Sequence, residues 1–551
     1  MVDLETEAPY HMEESNEAQS LYTKLETERY MFLERARRSA ELTIPTLVPP
    51  EGAGSHTKYY TPFQGVGARG VNNLASKLLL TLFPPNSPFF RFVVDPYLLK
   101  KMGIDEQKEL KTDIDKALAE MEKAVQREIE TSAIRVTAFE ALRQLLVAGN
   151  ALVYTPDDSD SNTKLFRMDS YCVRRDPSGN VLDIVIRERI APAALPKPVT
   201  DFLKRMENKA YTDDSVSGYL DLYTKVERYP KYWEVYQEVC GHKIPESEGK
   251  YELDKLPYLA LRFNRVDGEN YGRGYVEEYI GDLKSLEALS QAIVEGSAAA
   301  ARVLFMVAPN GTTRTTTVAE APNGAVVTGN AADVSMLRLD KSGDFSVAQN
   351  TMNRIEERLA YAFLLNSAIQ RNAERVTAQE IRFMAQELES SLGGTYSVLS
   401  QEFQLPLVNV LVGRMHKDKR FPKLPKNTVK PVIVAGIEAL GRGNDLTKLD
   451  LFVAGIGQSL GQQAVSTFIN IQNYLTRRAT ALGIDVDGLI RDDEAIAQQR
   501  QQEQRMEMMS KLGAPAIGGI ASLAKDNPEM LRRGAEVLGQ QAQAMQQQPQ
   551  Q

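Results

Sequence analysis

Two long amphipathic stretches separated by a short insert constrain the fold of this chain more than any other feature. Tyr275–Ala301 carries Val276, Ile280, Leu283, Leu286, Leu289 and Ile293 at steps of three and four, the spacing that gathers side chains on one helix face. A helix over that stretch would be about 40 Å long at ~1.5 Å per residue. Its final turns, Ser297 to Ala301, are small and admit close packing. Residues 302–346 follow as a mixed insert, with Pro309, Gly311, an Asn323-Gly324 turn signal and strand-like Ala325–Thr328. Val347–Leu365 then reads as a second helix. A monomer built this way leaves much of both apolar faces uncovered. Neighbouring copies of the same helix pair would cover them, which points to a closed ring.

The chain leaves the second helix through a polar segment bearing Arg371 and Arg375 and enters a third helix. Thr377 is the expected N-cap, and Glu380 completes a capping box. Ile381, Met384, Leu388 and Leu392 share one face. Gly393 and Gly394 sit in the middle. Each interior glycine costs a helix about 1 kcal/mol relative to alanine, so the pair marks a place to bend. Pro406 is expected to bend or end the helix. Loop arginines are often merely solvated. On a kinked helix they suggest a moving part that meets a polyanion.

The rest of the chain divides by pattern. Residues 17–48 read as a helix ending near Ile44-Pro45, and 49–64 as a Pro/Gly loop. Val66–Phe83, Glu106–Thr131 and Val136–Ala148 read as helices. Strands are expected at Ala151–Thr155, Leu165–Met168, Tyr171–Arg175, Val181–Arg189, Tyr219–Tyr229, Tyr232–Val239 and Tyr258–Phe263, with Asp176-Pro-Ser-Gly179 as a turn. Residues 1–270 therefore form one α+β unit. Residues 417–431 read as a basic, Pro-broken linker, and helices resume over 444–483. From Asp492 the chain becomes rich in Gln, Met and Ala, a low-complexity tail. A length of 551 residues exceeds a single core and implies two to four domains.

A net charge of −8 argues against wrapping nucleic acid with a broad basic surface, though not against encircling it. Two cysteines, Cys172 and Cys240, supply no disulfide framework and suggest a reducing compartment. Asp3, Glu5 and Glu7 stand where a secretory signal needs a basic, then apolar, stretch. The apolar run Leu78–Phe83 is far too short to span a membrane. These features describe a soluble protein made in the cytoplasm.

Gly65-Val-Gly67-Ala-Arg-Gly70 matches the dinucleotide pattern G-x-G-x-x-G. A loop precedes it, however, and Phe89 and Phe90 stand where the ribose-binding acid should be. A tight loop-to-helix entry with close packing accounts for it better. Asp158, Asp160 and Asn162 resemble the start of a calcium loop with Asp169 at the twelfth position, but Thr163 replaces the needed glycine and a strand precedes it. His11, His56, His242 and His416 are scattered, with no zinc spacing to the lone cysteines, which read as core thiols. Glu356 and Glu357 are adjacent on a helix and point apart, which suits a solvated face rather than an acid–base pair. No P-loop, G-x-S-x-G or H-E-x-x-H occurs.

Four ordered blocks carry a resemblance: PFQGVGARGVNNLASKLLLTLFP at 62–84, FEALRQLLVAGNALVY at 139–154, RVDGENYGRGYVEEYIGDLKSLEALSQAIV at 265–294, and the 362–408 stretch. The chain resembles the portal proteins, or head-to-tail connectors, of autographivirus-type short-tailed phages (podoviruses), over roughly residues 17 to 450. The resemblance implies an α+β portal fold with a mainly helical stem and crown, an α/β wing and a small mixed clip, assembled as a ring of twelve. By position, 1–273 would be the wing, 274–301 and 347–366 the stem helices, and 302–346 the clip. Residues 367–376 would be the tunnel loop, 377–415 the long kinked wing helix, 416–491 the crown and 492–551 the tail. Gln370, Arg371, Asn372 and Arg375 would line the DNA channel, with Gly393 and Gly394 as the hinge. The implied role is a channel at one capsid vertex for packaging and ejecting double-stranded DNA, assembled in the bacterial cytoplasm and carried in the virion. Implied partners are the major capsid protein and scaffold, terminase, the tail adaptor and, at the crown, internal core proteins, with no membrane. No catalytic residue, metal or cofactor is implied. A soluble nucleotide-binding enzyme and a helical scaffold without a channel remain the alternatives.

Overall fold

The structure is a computed structural model. It describes residues 12–54, 56–85, 89–94, 108–157, 162–205, 218–300, 304–337, 342–365, 387–388, 391–392, 394–417, 429–433 and 441–461, with isolated positions up to 478. The chain divides into two units, Met1–Leu440 and Gly441–Gln551.

In the first unit the order is β1 (Glu13–Glu14), α1 (Glu17–Glu41), α2 (Val66–Leu82), β2 (Phe90–Val94), α3 (Lys108–Thr131), α4 (Ile134–Ala148), β3 (Asn150–Tyr154), β4 (Lys164–Phe166), β5 (Tyr171–Arg175), β6 (Val181–Ile190), α5 (Lys197–Arg205), β7 (Leu220–Arg228), β8 (Tyr232–Val239), β9 (His242–Lys243), β10 (Gly249–Glu252) and β11 (Tyr258–Arg262). Next come α6 (Tyr275–Glu278), α7 (Ile280–Ala300), β12 (Leu304–Val307), α8 (Thr315–Ala319), β13 (Val334–Leu337), α9 (Ser342–Ala362), α10 (Gly394–Leu399), α11 (Leu405–Lys417) and β14 (Val429–Ile433). The main sheet runs β1-β9-β8-β7-β6-β5, with β10 also paired to β8. A smaller sheet runs β11-β3-β4, and β14 pairs with β2.

Periodicity explains the helices. Tyr22, Leu25, Arg29, Leu33, Ala36 and Ala40 recur on the buried face of α1. The buried Glu238 carboxylate closes its first turn, accepting from the amides of Ala18 (3.0 Å) and Gln19 (3.3 Å). Gly149 ends α4 at φ 74, where a side chain would strike the backbone of Arg273. The expected turn after β5 forms, with the Asn180 amide donating to Asp176 Oδ1 at 2.8 Å. The exposed edge of β5 is closed by side chains: the Val173 amide donates to Tyr271 Oη (3.0 Å) and the Arg175 amide to Asn270 Oδ1 (2.8 Å). The principal core joins α1, α2, α4, the small sheet and α11 through residues such as Leu74, Leu78, Leu142, Leu145, Leu261, Phe403 and Leu411.

Several expectations are corrected. The first helix stops at Glu41 rather than near Ile44. The expected helix 275–301 breaks at Tyr279, whose ring clusters with those of Tyr275 (5.2 Å) and Phe363 (5.8 Å). Ala325–Thr328 forms no strand; the ribbon of the insert is β12 with β13. The second long helix begins at Ser342 and ends at Ala362. Pro406 does not end its helix. It follows a π turn, Ser400–Gln404, and α11 continues to Lys417. The carbonyl that the proline ring would crowd belongs to Glu402, inside that wider turn. The supposed linker 417–431 supplies the start of β14, with Pro431 opposite Phe92.

In the second unit, α12 (Gly441–Leu460) closes on Gly461 at φ 84. Tyr474 Oη donates to Asp450 Oδ1 at 2.6 Å, and Arg478 approaches the same carboxylate at 3.5 Å. Among the described residues no helix is long and apolar enough to cross a membrane.

Candidate functional site

Gln370, Arg371, Asn372, Arg375 and Gly393 lie outside the described residues, as do Thr377, Glu380, Ile381 and Met384. Gly394 is described: it opens α10, and a Cβ there would meet nothing within 4 Å. The structure defines the two ends of the 366–386 segment and what holds them.

One face of α2 holds both. Gly70 lets the Phe363 ring approach so closely that a Cβ would lie 2.6 Å from it. One turn on, Asn73 Nδ2 donates to the carbonyls of Phe363 and Leu364, both at 3.0 Å. A further turn on, the buried Lys77 Nζ donates to the Leu364 carbonyl (2.9 Å) and approaches Glu387 Oε2 at 3.2 Å. Lys77 thus touches the chain where it departs and where it returns. Leu364 takes the left-handed conformation at φ 53, and Tyr275 Oη donates to the Ala362 carbonyl at 2.9 Å. A non-glycine residue there is strained unless its neighbours impose it, and the Asn73 and Lys77 donors do so.

The returning helix is fastened along its length. Leu388 and Leu392 are buried. Thr395 Oγ1 donates to Asn264 Oδ1 (3.0 Å), and Tyr396 Oη to the Thr81 carbonyl (3.2 Å). In the π turn, Glu402 accepts from the Arg262 amide (3.1 Å) and Nε (3.2 Å), while Gln404 Nε2 donates to the Leu82 carbonyl (2.5 Å). Farther on, buried Arg414 pairs with Glu128. Sequence reasoning missed Asn73 and Lys77. Their signal was two polar residues at helical spacing from Gly70, on a helix otherwise rich in Leu and Val.

The Gly65–Gly70 motif resolves as packing. No strand precedes it, and a Cβ on Gly67 would lie 2.5 Å from the Leu42 carbonyl oxygen. Asp158 and Asp160 of the calcium-like loop lie outside the described residues. Among the described residues no cluster of three His, Cys, Asp or Glu is placed to hold a metal. Burial pushes the Cys172 thiol up to about 11, so it stays protonated and unreactive at neutral pH. Burial, then the Lys255 ammonium, hold His416 below its ordinary value.

Residues 15–490 match the family described as "Bacteriophage head to tail connecting protein". The chain is 42% identical to the portal protein of Escherichia phage T7 over 526 residues, covering 95% of this chain and 97% of that one. It is 35% identical to the portal protein of Pseudomonas phage phiKMV over 415 residues, 74% of this chain and 79% of that one. Among solved structures, a chain from the neck of a native gene transfer agent particle computed with C12 symmetry aligns at TM-score 0.35 and 12% identity, over 76% of this chain and 90% of that one. The chain belongs to the head-to-tail connecting family, and its α+β architecture is that of a portal protein situated at the head-to-tail junction of a virion.

Proposed function

We propose that twelve copies of this chain form a ring at one capsid vertex, with an axial channel that double-stranded DNA enters during packaging and leaves during ejection. The observation that carries this reading is the 42% identity to a portal protein over 95% of the chain. The bare flanks of the helix pair support it: on α7 and α9, Val294, Val347 and Tyr361 are 53%, 68% and 80% exposed in the single chain. The assignments of wing to 1–273, stem to 274–301 and 347–366, clip to 302–346, tunnel loop to 367–376, kinked helix to 377–415, crown to 416–491 and tail to 492–551 belong to the same reading. So do docking of terminase and then the tail adaptor, contact with capsid, scaffold and internal core proteins, and the absence of catalysis. A net charge of −8 per chain is compatible with a wall along which DNA slips, because each basic contact with phosphate would add affinity through counterion release. Arg371 and Arg375 are then the few local brakes. Electron micrographs of the purified chain test the ring: closed annuli with a central hole are expected, and a monomer at every concentration would refute it.

A further inference from the structure

The tetrapeptide Ala-Pro-Asn-Gly occurs twice in the insert between the two long helices, at 308–311 and at 321–324. Asparagine is a thermolabile residue. A following glycine makes it more so, because no side chain shields the next amide nitrogen from the carboxamide. The local sequence is the same in both copies, and Asn310 and Asn323 are both exposed. What differs is how the fold holds the glycine amide.

In the first copy the Gly311 amide donates to the Ala308 carbonyl at 3.0 Å, and the Ala308 amide donates to the Asp333 carbonyl at 2.8 Å. The Asp333 carboxylate closes over the same loop. It accepts from the amides of Thr312 (2.7 Å) and Thr313 (3.1 Å), and a Cβ on Gly311 would lie 2.5 Å from its Cγ. The Gly311 peptide plane has no room to swing, and the adjacent negative charge opposes loss of its amide proton. In the second copy the turn is closed one residue later, by the Ala325 amide on the Pro322 carbonyl at 3.0 Å. Among the described residues nothing accepts from the Gly324 amide. Gly324 stands at φ 84, and a Cβ there would meet nothing within 4 Å. Residues 322–328 are all exposed, so one solvent-facing hydrogen bond is what resists rotation of this peptide.

We infer that Asn323 is a site of spontaneous covalent modification, closing onto the Gly324 amide and ending as aspartate or isoaspartate, and that the fold protects Asn310 from the same reaction. The Gly324 nitrogen gives up its proton and attacks Asn323 Cγ. A bond forms between them, the bond from Cγ to the side-chain nitrogen breaks, and that nitrogen leaves as ammonia with the proton. Water then opens the cyclic imide at either carbonyl. Nothing but solvent is consumed. Each event adds one negative charge to a chain already at −8. Isoaspartate also adds a main-chain carbon to the turn. Gly329 packs on Thr313 and the Asn330 amide donates to Thr313 Oγ1 at 2.8 Å, so residues 325–328 must take up the extra length. If 302–346 receives terminase and adaptor, these changes fall on the docking face; that consequence rests on the proposed function, whereas the conversion itself does not.

The full chain is incubated in mildly alkaline buffer, folded and in urea, then digested in mild acid and mapped by mass spectrometry, with isoaspartyl methylation to mark the rearranged product. In urea both asparagines should convert at similar rates, since their local sequence is the same. In the folded chain Asn323 should convert several-fold faster than Asn310, and several-fold more slowly when the buffer is made mildly acidic, because the attacking nitrogen must be deprotonated. Asn323→Gln should remove most of the acidic species that wild type gains on isoelectric focusing. Asp333→Asn, which discharges the group beside Gly311, should raise the Asn310 rate towards that of Asn323. Equal rates at the two positions in the folded chain would overturn the inference. So would an Asn323 that stays intact when folded while the chain in urea converts. An Asn310 rate unmoved by Asp333→Asn would overturn the account of its protection.

Discussion

Single residues decide how the insert and the π turn are held. Burial by itself raises the Asp333 carboxyl, but donors from Thr313 and Thr312 outweigh it and leave it below its ordinary value of 3.8. A depressed carboxyl stabilises the fold above its unfolded-state value, and that contribution disappears as pH falls through the lower folded-state value. Asp333→Asn should therefore speed proteolysis of the 302–346 region at neutral pH. Wild type should approach the variant's rate only in acid below 3.8; equal rates at pH 7 would remove the argument. At Arg262, whose side chain is almost fully buried, the partner is Glu402 in the π turn. Removing one member of a buried pair costs on the order of 3 kcal/mol, and Arg262→Met should lower the urea midpoint accordingly. An unchanged midpoint would mean that the pair contributes only specificity.

At the scale of elements, α2 holds the chain on both sides of residues 366–386, at Phe363 and Leu364 and at Glu387. It was visible in the sequence as a helix, and its glycines as close-packing positions, because both follow from local spacing. That Gly70 receives Phe363 was not visible, since the contact joins residues far apart in sequence. Gly70→Ala should cost about 1–3 kcal/mol by overpacking, and Phe363→Leu in the same chain should recover part of it. A chemical denaturation series of the two singles and the double is the check, and a fully additive result would contradict the contact. Strands with sharp turn signals, such as Tyr171–Arg175 and Tyr232–Val239, fall where their patterning puts them. The break at Tyr279 and the passage of the helix through Pro406 do not, because an aromatic cluster and a π turn override local preference.

For the whole molecule, the proposed roles of Arg371, Arg375, Gly393 and Gly394 can be tested only in an assembled channel. Virions carrying Arg371→Ala or Arg375→Ala are expected to package DNA but retain it less well, and Gly393→Ala with Gly394→Ala to lose titre by stiffening the helix. Gly394→Ala has room for its methyl group, so misfolding is not the expected cause of that loss. Wild-type retention in both arginine variants would free the loop of this role, and full titre in the alanine pair would dismiss the hinge.

The sequence by itself determined the α+β class, the long helix pair, the portal family and the packing role of the Gly65–Gly70 motif, because periodicity, turn chemistry and long ordered blocks are local properties. Tertiary structure alone decided that Asn73 and Lys77 hold Phe363, Leu364 and Glu387, on either side of residues 366–386, that Val429–Ile433 pairs with Phe90–Val94, and that Ala325–Thr328 forms no strand. Those outcomes depend on which distant groups meet, and no short window of residues encodes that.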